Sequence, residues 1–351
     1  MENSVIPDYP MATVVKILEL IPIPNADNIE LAKVLGWQVI VKKGEFSVGD
    51  LAIYFCIGSV LSADDVNFAF LQGKPIKTKK IRNTLSQGLL LPLFMTVSYN
   101  LKDLREGDDV TQQLNVRKWV SREELSLYSE VPGENDLKAP FPSCIPKTNE
   151  ERVQNITKKL VELQNKPIVI TQKYDGTSAT FMVLDGKFAI CGRNNVLLKE
   201  NGESHHYFEI AKRYNLEANL KEKGKNIAIQ GEIIGQRKDG RYKINSNRHH
   251  LLDFEFHVFN IFDIDKRYYM NWSELSEITN SLGLKTVPVL YLGLMKEKWL
   301  AIDTLLALAT EQRYEGGHIC EGIVVKSDEG YGFPRTSFKV ISNEYLLKYK
   351  L

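Results

Sequence analysis

The chain has 351 residues, 43% hydrophobic and 25% charged, a globular composition whose length allows one large or two ordinary domains, of which we expect two. Lys+Arg of 45 against Asp+Glu of 44 leaves a net charge of +1, so attraction to nucleic acid must come from local clustering and not from a whole-molecule field. Four scattered cysteines (Cys56, Cys144, Cys191 and Cys320), without a CxxC pair or histidines at ligand spacing, argue against structural zinc and a disulfide framework; no apolar run approaches the roughly 18 residues of a membrane span. An intracellular protein in a reducing compartment is expected.

Taken in chain order, the first part reads as β-rich. Ala12 to Leu20, Trp37 to Lys42 and Leu51 to Ile57 are strand candidates, the last two joined across Gly44 and Gly49-Asp50, and such short strands suggest a small barrel. A basic segment with Lys74, Lys77, Lys79, Lys80 and Arg82 is expected on a loop or barrel edge before the apolar run Gly88 to Val97. From Trp119 to Pro146 the pattern dissolves into charges and prolines, including Pro132-Gly133, as in a linker. The boundaries expected are 1–118 for the barrel, 119–145 for the linker and 146–351 for a second domain.

Thr148 and Glu151 have capping-box spacing, and Val153, Ile156, Leu160 and Leu163 recur at helical intervals, which predicts a helix ending before Pro167. Beyond it strands dominate: Ile168 to Lys173, Ala179 to Val183, Lys187 to Cys191 after an Asp185-Gly186 hairpin turn, Asn226 to Ile234, Phe254 to Ile264, Gly322 to Lys326 and Ser337 to Ile341. Helical patterns at about Ser204 to Glu222, Ser273 to Ser281 and Asp303 to Arg313 interrupt them, giving an α+β domain with antiparallel sheets.

The most informative stretch is Lys173-Tyr174-Asp175-Gly176-Thr177-Ser178, at the end of a predicted strand. A lysine there is held on a rigid element, and Gly176 would let the backbone turn close to a ligand. With a pKa of about 10.4, only about one free lysine in a thousand is nucleophilic near neutrality, so neighbours must depress it. A surface strand end with a turn is the plainer reading of this short match.

Further segments follow in a fixed order: Cys191-Gly192-Arg193-Asn194, Gln230-Gly231-Glu232-Ile233-Ile234-Gly235, Phe259-Asn260-Ile261-Phe262-Asp263, Glu321-Gly322-Ile323-Val324-Val325-Lys326 and Ser337-Phe338-Lys339. With Lys173 to Thr177 they resemble the nucleotidyltransferase motifs of the covalent ligase and capping-enzyme superfamily over residues 168–341. The resemblance implies that Lys173 attacks the α-phosphorus of ATP. Lys326 and Lys339 would contact phosphate and help lower the pKa of Lys173, and Arg193 would bind nucleotide or RNA phosphate. Asp175, Glu232 and Glu321 would hold the hydration shell of magnesium or manganese. Phe259 would stack on adenine, with Phe262 the runner-up, since Asn260 stands where many relatives have aspartate. Alone, Lys326 and Lys339 read more readily as solvated lysines and either phenylalanine as core filler, while each carboxylate could equally cap a turn or pair with a cation and Arg193 equally form a structural ion pair.

Domain order selects the branch. Only 12 residues follow Lys339, which leaves no room for a C-terminal barrel, whereas the β-rich module precedes Lys173. Ile23-Pro24-Asn25-Ala26-Asp27-Asn28, Gly36-Trp37-Gln38-Val39-Ile40-Val41, Leu85-Ser86-Gln87-Gly88-Leu89 and Lys147 to Asn155 complete a resemblance to Naegleria-type RNA ligases, with an N-terminal OB-like barrel and a C-terminal transferase domain. That implies ATP-dependent sealing of 3′-hydroxyl and 5′-phosphate RNA ends, in RNA repair, by a monomer. Arg152, on the predicted helix, would contact phosphate or metal-bound water. The Lys74 to Arg82 segment with Arg117, Lys118 and Trp119 is an expected RNA track, and His205-His206 and His249-His250 read as polar surface. A DNA ligase, a capping-type guanylyltransferase and a non-catalytic OB-type RNA-binding protein are the alternatives.

Overall fold

Strict alternation explains the first strands. In Trp37–Lys42, Trp37, Val39 and Val41 are buried while the intervening side chains stay partly or fully exposed, the period of two expected of a sheet covered on one face. The computed structural model describes residues 4–7, 9–99, 101, 103–120, 137–202, 204–330 and 335–350, with backbone only at 96–98. It divides into two units, Met1–Leu125 with Leu346–Leu351, and Ser126–Tyr345.

The first unit is an OB-like all-β module. Its strands are β1 (Ser4–Val5), β2 (Ala12–Lys16), β3 (Glu19–Pro22), β4 (Ile29–Val34), β5 (Trp37–Lys42), β6 (Leu51–Phe55), β7 (Ser59–Val60), β8 (Lys79–Ile81), β9 (Thr84–Ser86), β10 (Leu89–Pro92) and β11 (Arg117–Trp119). They form the antiparallel sets β1-β11-β7, β10-β6-β2 and β3-β4-β5, plus the β8-β9 hairpin that carries Lys79, Lys80 and Arg82 of the basic segment. The apolar faces close on a core that includes Val14, Val39, Phe55 and Leu61, with Trp37 stacked on Tyr54 at 5.9 Å. The single strand expected over Ala12 to Leu20 is two, and the apolar run after Gly88 becomes β10 followed by a 3-10 turn, Leu93–Tyr99. Most of the expected linker, including Pro132-Gly133, lies outside the described residues.

The second unit is α+β. Its strands are β12 (Lys138–Pro140), β13 (Glu151–Arg152), β14 (Pro167–Lys173), β15 (Thr177–Leu184), β16 (Lys187–Cys191), β17 (Asn195–Leu197), β18 (Ile227–Ile234), β19 (Glu255–Asp263), β20 (Tyr268–Tyr269), β21 (Lys285–Thr286), β22 (Val289–Leu294), β23 (Gly322–Ser327) and β24 (Ser337–Ile341). One sheet runs β12-β17-β16-β15-β18-β19-β20 with β21 beside β19; the other runs β13-β24-β23-β14-β22. Pairing is antiparallel except for β13 with β24 and β19 with β21. A core of Phe181, Ile229, Phe256 and Ile261 lies on one face of the first sheet, and Ile170, Ile323, Val325 and Phe338 anchor a second core under the other.

The helix predicted from Thr148 is largely absent. Glu151–Arg152 pair as a strand with Phe338 and Lys339, and only Val153–Asn155 (a 3-10 turn) and Thr157–Val161 are helical. The Thr148 hydroxyl is instead 2.5 Å from that of Ser178, so the capping box does not form. Val153, Leu160 and Leu163 are nevertheless buried, since apolar spacing satisfied by a helix is also met by a 3-10 turn leading into a short helix. The helix predicted over Ser204 to Glu222 is two, His205–Arg213 and Leu216–Glu222, broken at left-handed Asn215.

Candidate active site

Lys173 is the last residue of β14 and pairs with Gly322, the first residue of β23. Glu321, one position earlier, therefore lies across from it, and Lys173 Nζ is 2.9 Å from Glu321 Oε2. Beyond Lys173 the chain crosses from one sheet to the other through Tyr174 to Gly176, where the Gly176 N–H donates to Glu232 Oε1 of β18 at 3.1 Å. A Cβ on Gly176 would sit 2.3 Å from the Ile233 carbonyl oxygen. The glycine thus admits a neighbouring strand, where the sequence suggested approach to a ligand.

Burial opposes a charge on Lys173, but Glu321, Glu232 and Asp175 together outweigh it and lift its pKa above the ordinary lysine range. This corrects the expectation that Lys326 and Lys339 would depress it: the carboxylates dominate. Glu232 is itself pushed up to about 7, chiefly by burial, with Lys173 pulling it down and Glu321 raising it.

On β24, Lys339 is brought down to about 8, first by burial and then by the charges of Lys173 and Arg152, with Arg193 adding to them. Arg152 comes alongside Lys339 through the parallel β13-β24 pairing, so it stands on a strand and not on the predicted helix. Arg193 is exposed and donates to Asn149 Oδ1 at 2.9 Å. Lys173, Lys339, Arg152 and Arg193 therefore share one positive field, as a polyphosphate ligand requires.

Asp175 differs from its expected role. It is 4% exposed, its Oδ1 accepts from Asn245 Nδ2 at 2.9 Å, and its Oδ2 accepts from both Arg248 and the Tyr345 hydroxyl. Its carboxylate is thus engaged by protein partners, and no three His, Cys, Asp or Glu side chains among the described residues are grouped to hold an ion.

Lys326 is not joined to the Lys173 cluster. Its side chain is buried, and Nζ donates to the Phe259 carbonyl at 2.6 Å and to Asn260 Oδ1 at 2.9 Å, 5.2 Å from the centre of the Phe259 ring. A β-bulge supplies that carbonyl: Gln230 faces Asn260 and Gly231 faces Val258, leaving Phe259 unpaired. Arg335 donates to the same Asn260 Oδ1 at 2.9 Å and lies over the Tyr269 ring at 3.8 Å. Burial and then the Arg335 charge bring Lys326 down to about 7. Phe259 keeps partial exposure, whereas Phe262 is closed in the core with Met182 and Ala228.

Sequence reasoning missed Tyr314, Asn245, Arg248, Tyr345 and Arg335, none of which stands at a recognisable spacing from Lys173. It also misread two of the paired histidines. His206 is 3% exposed between Tyr207 and Tyr242, and His249 packs 4.0 Å from the Tyr314 ring, so both belong to aromatic clusters and not to polar surface.

A strand-end lysine paired with a glutamate, in a chain that also carries an OB-like module, defines the class. The chain belongs to the RNA ligase family, whose model matches residues 166–341; a model described as an OB-fold domain matches residues 11–93. Among solved structures it is similar to Naegleria gruberi RNA ligase with PPi, at 32% identity over 97% of this chain and 99% of that one, TM-score 0.72. Mutants of the same ligase, one with ATP and Mn and one with AMP and Mn, match with the same identity and coverage at a TM-score of 0.74. No curated protein matches the sequence.

Proposed function

We propose that the chain is an ATP-dependent RNA ligase that joins a 3′-hydroxyl to a 5′-phosphate through a lysyl-AMP on Lys173, and that it serves RNA repair inside the cell as a monomer. The observation that carries this reading is the setting of Lys173: a strand-end amine 2.9 Å from Glu321, within the field of Lys339, Arg152 and Arg193. The Naegleria gruberi ligase structures with ATP, AMP and PPi support it.

In the first step Lys173 Nζ, as the neutral amine with its proton released to water, attacks the α-phosphorus. The N–P bond forms, the bond to the bridging oxygen breaks and pyrophosphate leaves. Lys339, Arg152 and Arg193 offset the phosphate charge, Lys326 supports the Phe259 segment, and Phe259 offers its ring to adenine. In the second step the RNA 5′-phosphate takes AMP from Lys173; in the third the 3′-hydroxyl displaces AMP.

The donor set fits magnesium or manganese, because Glu232 and Glu321 present hard carboxylate oxygens beside Lys173, and burial has left Glu232 short of positive charge. Bound there by Glu232 and Glu321, the ion would neutralise the carboxylates that hold the Lys173 proton and offset charge on the leaving phosphates. Asp175, tied to Arg248 and Tyr345, orients the Tyr174 to Gly176 turn. RNA would follow the β8-β9 hairpin and Arg117, Lys118 and Trp119 of β11, where Trp119 is 45% exposed and offers a stacking face.

Intact-mass spectrometry with ATP and magnesium is the test. Wild type should gain one AMP and Lys173→Ala none. A wild type that gains nothing, even after pyrophosphate has stripped any bound AMP and ATP is renewed, overturns the reading in favour of RNA binding without ligation.

A further inference from the structure

Tyr314 is 2% exposed, and its hydroxyl meets three backbone groups. It donates to the Lys173 carbonyl at 3.0 Å and accepts from the Asp175 N–H at 3.1 Å and the Glu321 N–H at 3.0 Å. A hydroxyl has one proton and two lone pairs, so all of its capacity is used. The three groups lie where the β14-β23 ladder ends and cannot pair with one another. The Cys320 thiol, at 3.5 Å from the Lys173 carbonyl, offers a further contact.

Two aspects of the placement point beyond ordinary core satisfaction. First, the three tethered positions are the attacking amine, the residue that begins the crossing between sheets, and the carboxylate paired with that amine. Second, the ring is itself braced, edge-on to Tyr174 at 5.5 Å and against His249 at 4.0 Å, while the Tyr314 N–H donates to the His318 carbonyl at 2.7 Å. Burial pushes the phenol far above its ordinary range, so it stays a donor at working pH.

We propose that Tyr314 is a positioning residue for the adenylylation of Lys173: its hydroxyl sets the separation and alignment of Lys173 and Glu321 without touching ATP. This rests on the lysyl-AMP reading above. In-line attack is sensitive to misplacement of about 1 Å, which can cost about 100-fold in rate, while binding of a nucleotide that Tyr314 does not touch is not. Loss of the hydroxyl should therefore act on the rate at saturating ATP and leave half-saturation alone.

The experiment follows the first turnover of AMP transfer to the full chain, over a range of ATP with magnesium, for wild type, Tyr314→Phe and Tyr54→Phe. Tyr54, whose hydroxyl donates to the Gln87 carbonyl at 3.1 Å in the first unit, controls for removing a buried phenol elsewhere. Tyr314→Phe should lower the saturating rate by about 10- to 100-fold with half-saturation changed by less than about threefold, and Tyr54→Phe should leave both near wild type. A Tyr314→Phe protein with the wild-type saturating rate overturns the proposal while wild-type adduct formation leaves the ligase reading intact. So does a loss confined to half-saturation. No adduct in wild type removes the reading and the proposal together. Should Tyr314→Phe fail to fold, Tyr314→4-aminophenylalanine keeps a donor but only one lone pair for two N–H groups. Its saturating rate should fall below that of wild type with half-saturation kept, and a wild-type rate would again overturn the proposal.

Discussion

Glu232 shows how a buried carboxylate beside Lys173 weighs against stability. Its folded pKa of about 7 exceeds the ordinary 4.5 because burial, aided by Glu321 and Asp175, opposes the carboxylate more than Lys173 favours it. Between those values the folded chain holds a proton that the unfolded chain has lost, so this group's contribution to stability falls as pH rises from about 4.5 through 7. Glu232→Gln keeps an oxygen for the Gly176 N–H and removes the charge. We expect it to raise the unfolding free energy by on the order of 1–3 kcal/mol at pH 7.5, with little gain at pH 4.5, while abolishing lysyl-AMP formation. Urea titrations at the two pH values check this, and equal gains at both would show that the carboxylate's charge is not the cause.

At the scale of elements, the site depends on strands approaching closely. Gly322 has φ +154°, and a Cβ there would sit 2.0 Å from the Val340 carbonyl oxygen of β24. Gly322→Ala must part β23 from β24 beside Lys173 and should cost about 2–4 kcal/mol, seen as a lower urea midpoint. Gly202→Ala, where an added Cβ meets nothing within 4 Å, should be nearly neutral. Elements of this kind were legible in sequence. Trp37 to Lys42 and Ser337 to Ile341 match their strands residue for residue, because alternation or a short apolar run bounded by polar residues leaves one solution. The strand Glu151–Arg152 was not legible, since the partner that recruits it lies nearly two hundred residues later, a long-range term no local pattern carries. The site divides the same way. Lys173, Glu232 and Glu321 announce themselves by motif, whereas Tyr314 and Arg248 act through contacts that only the fold creates.

For the whole molecule, a net charge of +1 leaves RNA attraction to clusters. Lys77, Lys79 and Arg82 are exposed on or beside the β8-β9 hairpin. Replacing all three with alanine should weaken RNA binding and reduce the slope of log affinity against log salt by about 2, at about 0.7 per single-strand phosphate contact. AMP transfer to Lys173 should be unchanged. Filter binding across a salt series tests this, and an unaltered slope would move the RNA path elsewhere. Among the described residues no helix is long and apolar enough to cross a membrane, and the four cysteines are free thiols.

The bulge in β19 makes the pocket depend on how many residues the strand contains as well as on which they are. Deleting the codon for Phe259 would let the β18-β19 ladder close evenly, with the pairs on either side of the bulge kept. Asn260 would keep its station opposite Gln230, but Lys326 would lose the carbonyl it now caps, and the Phe259 ring would go with it. Drift within this segment can proceed by exchange of side chains, but loss of this one residue would remove ring and carbonyl together in a single event.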